Sequence, residues 1–434
     1  MNWKLHQLDI NNAFLHGYLD EEVYLKPPKG YNKAPDRKVC KLRRALYGLK
    51  QASRQWNIEL TKFLKKRSFS QSFRDYSMFC REQNGKMCIV LVYVDDLLIT
   101  ENDEEYIQRL KIELDREFTV KDLGEMRYFL GLEVSRTEKG TLLNQRKYVS
   151  DILQFTGLLK CKPVSCPFPK KIKLSTDEGE LMSDPERYRS LVGKLLYLNL
   201  TRADISFSVQ QLSQFMACPR MPHWEATLHV VKYLKGTPDF GLFYPSNSKL
   251  ELVAYCDADG GACPFSARSL TGYCVFLGGS LISWKTKKQK TISKSSCEAE
   301  YRCMCHTTSE TVWIDGVLEN LHITINRPIP LYCDNKSALH IAANPIFHER
   351  TKHLDKDCHY VREHLEAGFI STAFVRSSLQ IADIMTKSLT DQQHKFLCGN
   401  LGLVSHMQVQ LEEGVKKFAP NFKAKPAYLQ ITSD

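Results

Sequence analysis

The sequence predicts a multidomain protein of mixed α+β and α/β class: a sheet with helices, then a helical connection, then a mixed sheet with flanking helices. Three observations predict it. With 434 residues, the chain is too long for one ordinary domain and suits two or three. Short apolar strands alternate with basic, helical stretches up to about residue 160. From about residue 249 the order is strand, strand, strand, long helix, strand, helix, and it continues to about residue 389.

Changes in composition set the domain boundaries. Residues 1–160 form the first predicted domain. A stretch rich in proline, lysine and serine, 161–184, is typical of a linker, and residues 185–236 have helical periodicity. The linker and helical connection therefore cover 161–246. Residues 247–390 form the last domain, and 391–434, with weak periodicity, are expected to be a C-terminal tail.

Composition favours an intracellular protein. Hydrophobic residues make up 43% of the chain, but no apolar run approaches the roughly 20 residues that cross a bilayer. The first residues lack the apolar core of a signal peptide. The 15 cysteines follow no disulfide framework, which indicates free thiols in a reducing compartment. We expect no membrane partner and a location in the cytoplasm or the nucleus; secretion is not expected.

Basic residues cluster next to aromatic ones in two places. The formal net charge of +11 favours a polyanionic partner. Lys50 and Arg54 follow Tyr47, and Lys287 and Lys288 follow Trp284. Because bases stack on aromatic rings while cations hold phosphates, this mixture suits nucleic acid. For the cluster around Lys287 alone, a solvated strand edge is the favoured interpretation.

Two adjacent aspartates, Asp95 and Asp96, interrupt an apolar strand pair. A hairpin that needs only a tight turn favours Asn-Gly or Asp-Gly. Burying two carboxylates beside apolar strands is unfavourable unless a cation compensates, and carboxylate ligands favour Mg²⁺ or Mn²⁺. Since side chains alternate along a strand, a third carboxylate is needed, and Asp9 at the end of another strand supplies it.

A second set of acids lies in the last third of the chain. Asp257 and Asp334 each end a predicted strand, and Asn335 is placed to cap the next helix. Carboxylates at adjacent strand ends can converge on one ion.

Helical periodicity distinguishes two glutamates on the long helix. Steps of three or four residues from Glu300 reach mostly apolar positions, whereas the same steps from Glu298 reach a more polar face. We therefore expect Glu300 to point inward, against the alternative of a surface glutamate. On the last predicted helix of that domain, Asp383 also lies on the packing side.

Four segments in the first domain resemble the reverse transcriptases of copia-type (Ty1/copia) retrotransposons. They are LDINNAFLHG at 8–17, LYGLKQASRQW at 46–56, YVDD at 93–96 and DLGEMRYFLG at 122–131. The resemblance implies a palm-like sheet in which Asp9, Asp95 and Asp96 hold two catalytic divalent ions. It also implies that Phe14 crowds a ribose 2′-hydroxyl, with a core aromatic as the alternative, and that Tyr47 and Gly48 lie near the templating base pair. RNA template, DNA primer and deoxynucleoside triphosphates are the implied partners.

Four further segments resemble the ribonuclease H domain of the same polyproteins. They are YCDAD at 255–259, SSCEAEY at 295–301, LYCDN at 331–335 and IADIMTK at 381–387. The resemblance implies that Asp257, Glu300, Asp334 and Asp383 hold two Mg²⁺ ions and cut the RNA strand of RNA–DNA hybrids. This sequence departs from the family at Gly260–Gly261, where a tryptophan is common, and at Arg376–Ser378, where some members have a histidine.

In this family a fingers subdomain precedes the first aspartate box. Here that box begins within ten residues of Met1, so a truncated fingers region and an impaired polymerase are expected. Two alternatives stay open: a catalytically inactive, nucleic-acid-binding remnant of a retroelement, and a longer protein whose upstream segment is missing from the sequence. Oligomeric state is not predicted.

Two cysteine-containing segments are weaker candidates for metal sites. Cys161 and Cys166 have no second Cys/His pair at suitable spacing, so a structural role is favoured over zinc. Cys303, Cys305 and His306 lie on one helix, where neighbouring side chains diverge, so joint metal binding is not expected.

Overall fold

The computed structural model describes residues 3–31, 38–169, 174–261, 263, 265–344 and 355–405. The chain divides into two compact units: Met1–Arg127 with Gly316–Ile323, and Tyr128–Asp315 with Thr324–Asp434. Both contain sheets and helices, so the predicted mixed α+β multidomain class is confirmed. The domain boundaries at 160, 246 and 390 stay predictions.

In the first unit, helices pack against one large antiparallel sheet. Its elements up to residue 127 are β1 (Leu5–Ile10), β2 (Tyr18–Leu25), β3 (Cys40–Arg44), α1 (Ala52–Lys65), β4 (Ser70–Gln71), β5 (Met78–Gln83), β6 (Lys86–Tyr93), β7 (Asp96–Glu101), α2 (Glu104–Phe118) and β8 (Val120–Glu125). A short 3-10 helix covers Ala13–His16. The six-stranded sheet has the order β4-β5-β6-β7-β1-β8, and β2 pairs with β3 separately.

Alternation along β1 positions the first acid. Leu8 and Ile10 are buried in the core, together with Trp56 of α1 and Leu110 of α2. Because successive strand side chains point to opposite faces, Asp9 lies on the face opposite to this core.

The second unit contains two five-stranded sheets. The elements from residue 128 onward are β9 (Tyr128–Phe129), β10 (Leu132–Thr137), β11 (Gly140–Asn144), α3 (Arg146–Thr156), α4 (Pro185–Leu198), α5 (Ser206–Ser213), α6 (Met221–Gly236), β12 (Phe240–Pro245), β13 (Leu252–Ala258), β14 (Leu270–Leu277), β15 (Ser280–Lys288), α7 (Ser296–Asn320), β16 (Ile329–Cys333), α8 (Lys336–Ala343), α9 (Asp355–Glu366), β17 (Ile370–Phe374), α10 (Asp383–Thr386), α11 (Asp391–Asn400) and β18 (Leu403–Ser405). One sheet has the order β18-β12-β11-β10-β9, and the other has the order β15-β14-β13-β16-β17.

The second of these sheets is mixed, and its central strand is buried. β13 pairs antiparallel with β14 but parallel with β16, which is in turn parallel to β17. Every described residue of β13 after Val253 is buried. Because β13 and β16 run in the same direction, their carboxyl ends lie at the same edge of the sheet. The residues at these two strand ends are therefore close together.

Most predicted elements of this region are confirmed. The helical stretch 185–236 contains α4, α5 and α6, and the predicted order from residue 249 is that of β13, β14, β15, α7, β16 and α8. The predicted order lacks α9 and β17, which the structure places between α8 and α10. The Asn335 side chain caps α8 by accepting a hydrogen bond from the Ala338 N–H at 3.0 Å, as predicted. Residues 391–405, assigned from sequence to the tail, form α11 and β18, and β18 pairs with β12. The rest of that tail, 406–434, lies outside the described residues. Among the described helices, none combines the length and apolar character that crossing a bilayer requires.

Candidate functional site

Asp9 and Asp96 are direct partners on neighbouring antiparallel strands. Asp9 of β1 is opposite Asp96 of β7, so both side chains leave the same face of the sheet. Asp95 precedes β7, and its backbone carbonyl accepts a hydrogen bond from the Ile10 N–H at 2.8 Å. Burial, and then the neighbouring charges of Asp95 and Asp9, raise the pKa of Asp96, while a 3.4 Å hydrogen bond from Gln7 opposes this.

The turn before these acids differs from the predicted one. The sequence predicts that Asp95 and Asp96 form the turn, but Tyr93 pairs with Asp96 and the turn residues are Val94 and Asp95. Val94 has a φ of +58°, which is unfavourable for a β-branched residue. The Trp56 indole donates to the Val94 carbonyl at 2.6 Å. The turn is therefore tied to α1 and the buried core.

Two of the predicted nucleotide-binding residues, Phe14 and Tyr47, form an aromatic pair near the acids. The rings of Phe14 and Tyr47 lie 4.6 Å apart between centroids, and Tyr47 is 53% exposed. Partial burial, and then the charge of Asp95, raise the pKa of Tyr47, which indicates that its hydroxyl is near the acids. Gly48 has a φ of +94° and is exposed, as are Lys50 and Arg54. Phe14 is half-buried and packs against the core, so both interpretations of this residue stay open.

The second set of acids converges in the mixed sheet. Two groups of three side chains have ligand atoms that all lie within 4.8 Å of one another, and Asp334 belongs to both. One group is Asp257, Asp334 and Asp383; the other is Glu300, Cys333 and Asp334. All four acids predicted from the sequence are therefore brought together. Among the described residues, Asp9, Asp95 and Asp96 do not form such a group, nor do the cysteines around Cys161 and Cys303.

Each acid reaches the cluster from a different element. Asp257 lies near the end of β13 and is fully buried, and Asp334 directly follows β16. Glu300 lies on α7, 4% exposed, and Asp383 begins α10. Glu298 is also 4% exposed, but it accepts from the Lys294 N–H and the Arg302 guanidinium, both at 2.7 Å. Glu300 is buried, as predicted. The expected contrast with Glu298 is wrong, because Glu298 is buried to the same extent by its ion pair with Arg302.

Burial and mutual repulsion disfavour the ionised form of three acids in the cluster. Burial, and then the charge of Asp257, raise the pKa of Glu300 to about 11. The same two causes raise the pKa of Asp383 to about 7, and burial raises that of Asp257. Carboxyl groups that resist ionisation together are those that a cation would stabilise.

One cation is already present in the cluster. The Lys387 ammonium lies 3.0 Å from Asp257 Oδ1 and 2.7 Å from Asp383 Oδ1. The Thr386 hydroxyl also donates to Asp257, and the Ser377 hydroxyl donates to Asp334 at 2.7 Å. Sequence reasoning assigned no role to these residues. The spacing of four between Asp383 and Lys387 is the available signal, since it favours a helical ion pair.

The basic residues of β15 are divided between two faces of the strand. Lys287 is exposed, as is Lys285, at the edge of the sheet. Lys288 points the other way, and its ammonium contacts Gln214 Oε1 at 2.5 Å and Cys263 Sγ at 2.8 Å. Lys287 therefore remains available to a polyanion at a solvated strand edge, whereas Lys288 is engaged within the protein.

The donor set fits a divalent cation. Carboxylate oxygens are the preferred ligands of Mg²⁺ and Mn²⁺, and four of them converge on one sheet edge from β13, β16, α7 and α10. The arrangement could hold such an ion, with Asp334 shared between the two halves of the cluster.

Comparison with known proteins gives a consistent result. Residues 1–170 match a family described as reverse transcriptase (RNA-dependent DNA polymerase). The chain is 42% identical, over 93% of its length, to the retrovirus-related Pol polyprotein from transposon RE1 of Arabidopsis thaliana, and 35% identical, over 92%, to that from transposon TNT 1-94 of Nicotiana tabacum. It spans 28% and 31% of these two relatives. A putative transposon Ty5-1 protein of Saccharomyces cerevisiae is 35% identical over 70% of this chain and 99% of its own length.

Proposed function

Because this chain belongs to the family of Pol polyproteins from Ty1/copia-type retrotransposons, we propose that its residues 247–390 form a ribonuclease H domain. In this proposal the domain cuts the RNA strand of RNA–DNA hybrids. Residues 1–160 form the reverse transcriptase part, and 161–246 connect the two.

One observation carries the ribonuclease H proposal. Asp257, Glu300, Asp334 and Asp383 are far apart in sequence, yet their carboxylates meet in two groups that share Asp334. A purely structural role does not explain four mutually repelling acids at one sheet edge, because burying charges without compensation is unfavourable. The mixed sheet, with its antiparallel β15-β14-β13 and parallel β13-β16-β17, supports the same fold assignment.

The residues of the cluster would have distinct tasks. Divalent ions, when bound, would supply the positive charge that activates water and stabilises the departing oxygen. Asp257 and Asp334, at the ends of parallel strands, would fix the ligands on a rigid frame. Glu300 and Asp383 would close the cluster from the two helices. Ser377 would orient Asp334 through its 2.7 Å hydrogen bond.

A hybrid-cleavage assay tests this proposal. The purified chain is incubated with a labelled RNA–DNA hybrid and Mg²⁺, next to the variants Asp334→Asn and Glu366→Gln. Glu366 is exposed at the end of α9, so its variant controls for the loss of one negative charge. We expect cleavage by the wild type and by Glu366→Gln, and at least 100-fold slower cleavage by Asp334→Asn. Folded wild-type protein that binds hybrid without cutting it would favour the inactive remnant instead.

For the first domain we propose RNA-directed DNA synthesis at Asp9, Asp95 and Asp96. The direct pairing of Asp9 with Asp96 supports it, since two carboxylates face each other beside the Asp95 turn. The exposed Tyr47, next to Phe14, offers an aromatic surface on which a base or ribose can stack, and Lys50 and Arg54 can contact phosphates. Mg²⁺ or Mn²⁺ and deoxynucleoside triphosphates are the proposed cofactor and substrates.

Primer extension tests the polymerase separately. A DNA primer on an RNA template is extended with each metal, and Asp96→Asn is compared with Asp75→Asn, an aspartate in the loop before β5. Extension that depends on Asp96 but not on Asp75 supports the proposal. Extension that survives Asp96→Asn would contradict it.

A further inference from the structure

The thiol of Cys333 lies inside the acidic cluster. Cys333 ends β16, is fully buried and is a free cysteine. Its Sγ lies 3.8 Å from Glu300 Oε2, and the two atoms belong to a group with Asp334 in which all ligand atoms are within 4.8 Å of one another. Magnesium takes oxygen ligands, so a buried sulfur at this place has no part in the proposed ribonuclease H chemistry.

One further contact of this sulfur and the surroundings of Glu300 support a ligand role. The backbone N–H of Asn335 donates to Cys333 Sγ at 3.4 Å, so a lone pair of this sulfur already accepts a hydrogen bond. Glu300 is 4% exposed, and no lysine or arginine among the described residues forms an ion pair with it. Lys387 neutralises the other side of the cluster at Asp257 and Asp383. The Glu300 side therefore contains a buried acid that lacks a cation.

We propose that Glu300, Cys333 and Asp334 bind a thiophilic divalent cation such as Zn²⁺, and that this ion inhibits the ribonuclease H centre. The inhibition rests on the proposed function, because the thiophilic ion would occupy Glu300 and Asp334, which the ribonuclease H centre needs. The binding of this ion does not depend on the proposed function. One thiolate and two carboxylates are ordinary zinc ligands, with a water completing the tetrahedron.

The separation of one pair of ligand atoms is close to the value expected for this ion. With Zn–S about 2.3 Å and Zn–O about 2.1 Å, tetrahedral coordination separates sulfur and oxygen by about 3.6 Å. The separation of Cys333 Sγ and Glu300 Oε2 is 3.8 Å. On binding, the S–H bond of Cys333 breaks and the Zn–S bond forms, and the O–H bond of the protonated Glu300 carboxyl breaks and a Zn–O bond forms. Both protons pass to the solvent, so no oxidant or reductant is needed.

Cobalt(II) is a spectroscopic probe for this site, because a thiolate ligand gives a near-ultraviolet charge-transfer band that carboxylates do not. The full chain, its Cys333→Ser variant and its Cys263→Ser variant are titrated with Co²⁺. Cys263 is the control because its neighbour Lys288 lowers the pKa of its thiol to about 7 against the effect of burial, which favours adventitious binding. We expect the band in the wild type and in Cys263→Ser, its loss in Cys333→Ser, and its removal by stoichiometric Zn²⁺.

Other outcomes overturn the inference. They are a wild type without the band, a band that survives Cys333→Ser, and a band that depends on Cys263. If Cys333→Ser does not fold, Glu300→Gln keeps the thiol and is expected to weaken Co²⁺ binding at least tenfold; unchanged binding would refute the site.

The hybrid-cleavage assay separates this inference from the proposed function. Zn²⁺ is added to the Mg²⁺ reaction, and each protein is compared with its own uninhibited rate. We expect the half-inhibiting Zn²⁺ concentration to rise at least tenfold in Cys333→Ser, and an unchanged value would contradict the inhibition. A Cys333-dependent band in a chain that cuts no hybrid would support the metal site and refute the ribonuclease H proposal. Hybrid cleavage without that band would support the ribonuclease H proposal and refute the metal site.

Discussion

The ammonium group of Lys387 lies 3.0 Å from Oδ1 of Asp257, a carboxylate with no exposed surface. It also lies 2.7 Å from Asp383, four residues earlier in the chain. Lys387 therefore lies where a divalent cation would neutralise the same two acids. In the absence of such an ion, this lysine keeps the cluster compact.

Replacing Lys387 with methionine tests this role. The change keeps a side chain of similar length but leaves Asp257 without its counter-charge. We therefore expect the free energy of unfolding in EDTA to fall by about 1–3 kcal/mol. The loss is below that of a fully buried pair because the Lys387 side chain is 37% exposed. Urea denaturation measures it, with Lys395→Met on the exposed face of α11 as the control. We also expect Mg²⁺ to stabilise the variant more than the wild type. Equal losses in both variants would exclude this role.

The pKa of Asp383 makes stability depend on pH. Burial, and then the charge of Asp257, raise this pKa from its usual 3.8 to about 7, although Lys387 opposes the shift. Between these two values the folded protein holds a proton that the unfolded chain has released. The free energy of unfolding therefore falls as pH rises from about 4 to 7, with a slope of at most about 1.4 kcal/mol per pH unit from this group. Denaturation in EDTA measures this slope for the wild type and for Asp383→Asn. In the variant, the contribution of Asp383 to this slope should be absent, and identical slopes in the two proteins would contradict the expectation.

The convergence of the four acids could be predicted because each interrupts an apolar pattern. Asp257 lies near the end of a strand whose burial is evident from its composition, and Glu300 shares a helix face with apolar residues. Cys333 could not be recognised in this way, since a cysteine in an apolar strand is typical of a core. Lys387 was equally hidden, because an acid and a lysine four residues apart are usually a surface pair.

The acids of the site at Asp9, Asp95 and Asp96 were predictable from the sequence, but the local geometry of the turn beside them was not. The pairing of Asp9 with Asp96 agrees with the expected third carboxylate from another strand. The turn at Val94 was missed because a β-branched residue with positive φ contradicts backbone preference. Such a conformation is set by surrounding contacts, here including the bond from Trp56, which local sequence does not reveal.

Substituting Val94 with glycine tests whether this turn is strained. Glycine adopts a φ of +58° readily, whereas a non-glycine residue there costs about 1–2 kcal/mol. Part of the gain is offset by the greater freedom of glycine in the unfolded chain, about 0.4–1 kcal/mol. We expect the free energy of unfolding to stay constant or rise by up to about 1 kcal/mol. Val92→Gly, in the strand just before the turn, should instead lower it, and the same loss in both variants would argue against strain.

The fully buried Arg202 and Asp204 form an ion pair in the second unit. The guanidinium contacts the carboxylate through Nε at 3.0 Å and Nη2 at 2.7 Å, and the Tyr233 hydroxyl donates to Asp204 at 2.6 Å. Arg202→Met leaves the buried carboxylate without its cation, so we expect a loss of about 3–5 kcal/mol in the free energy of unfolding. The double change Arg202→Met with Asp204→Leu removes both charges and should cost less than the single one. Denaturation of the two variants decides this point: if the double variant is the less stable, hydrogen bonding by Asp204 matters more than its charge.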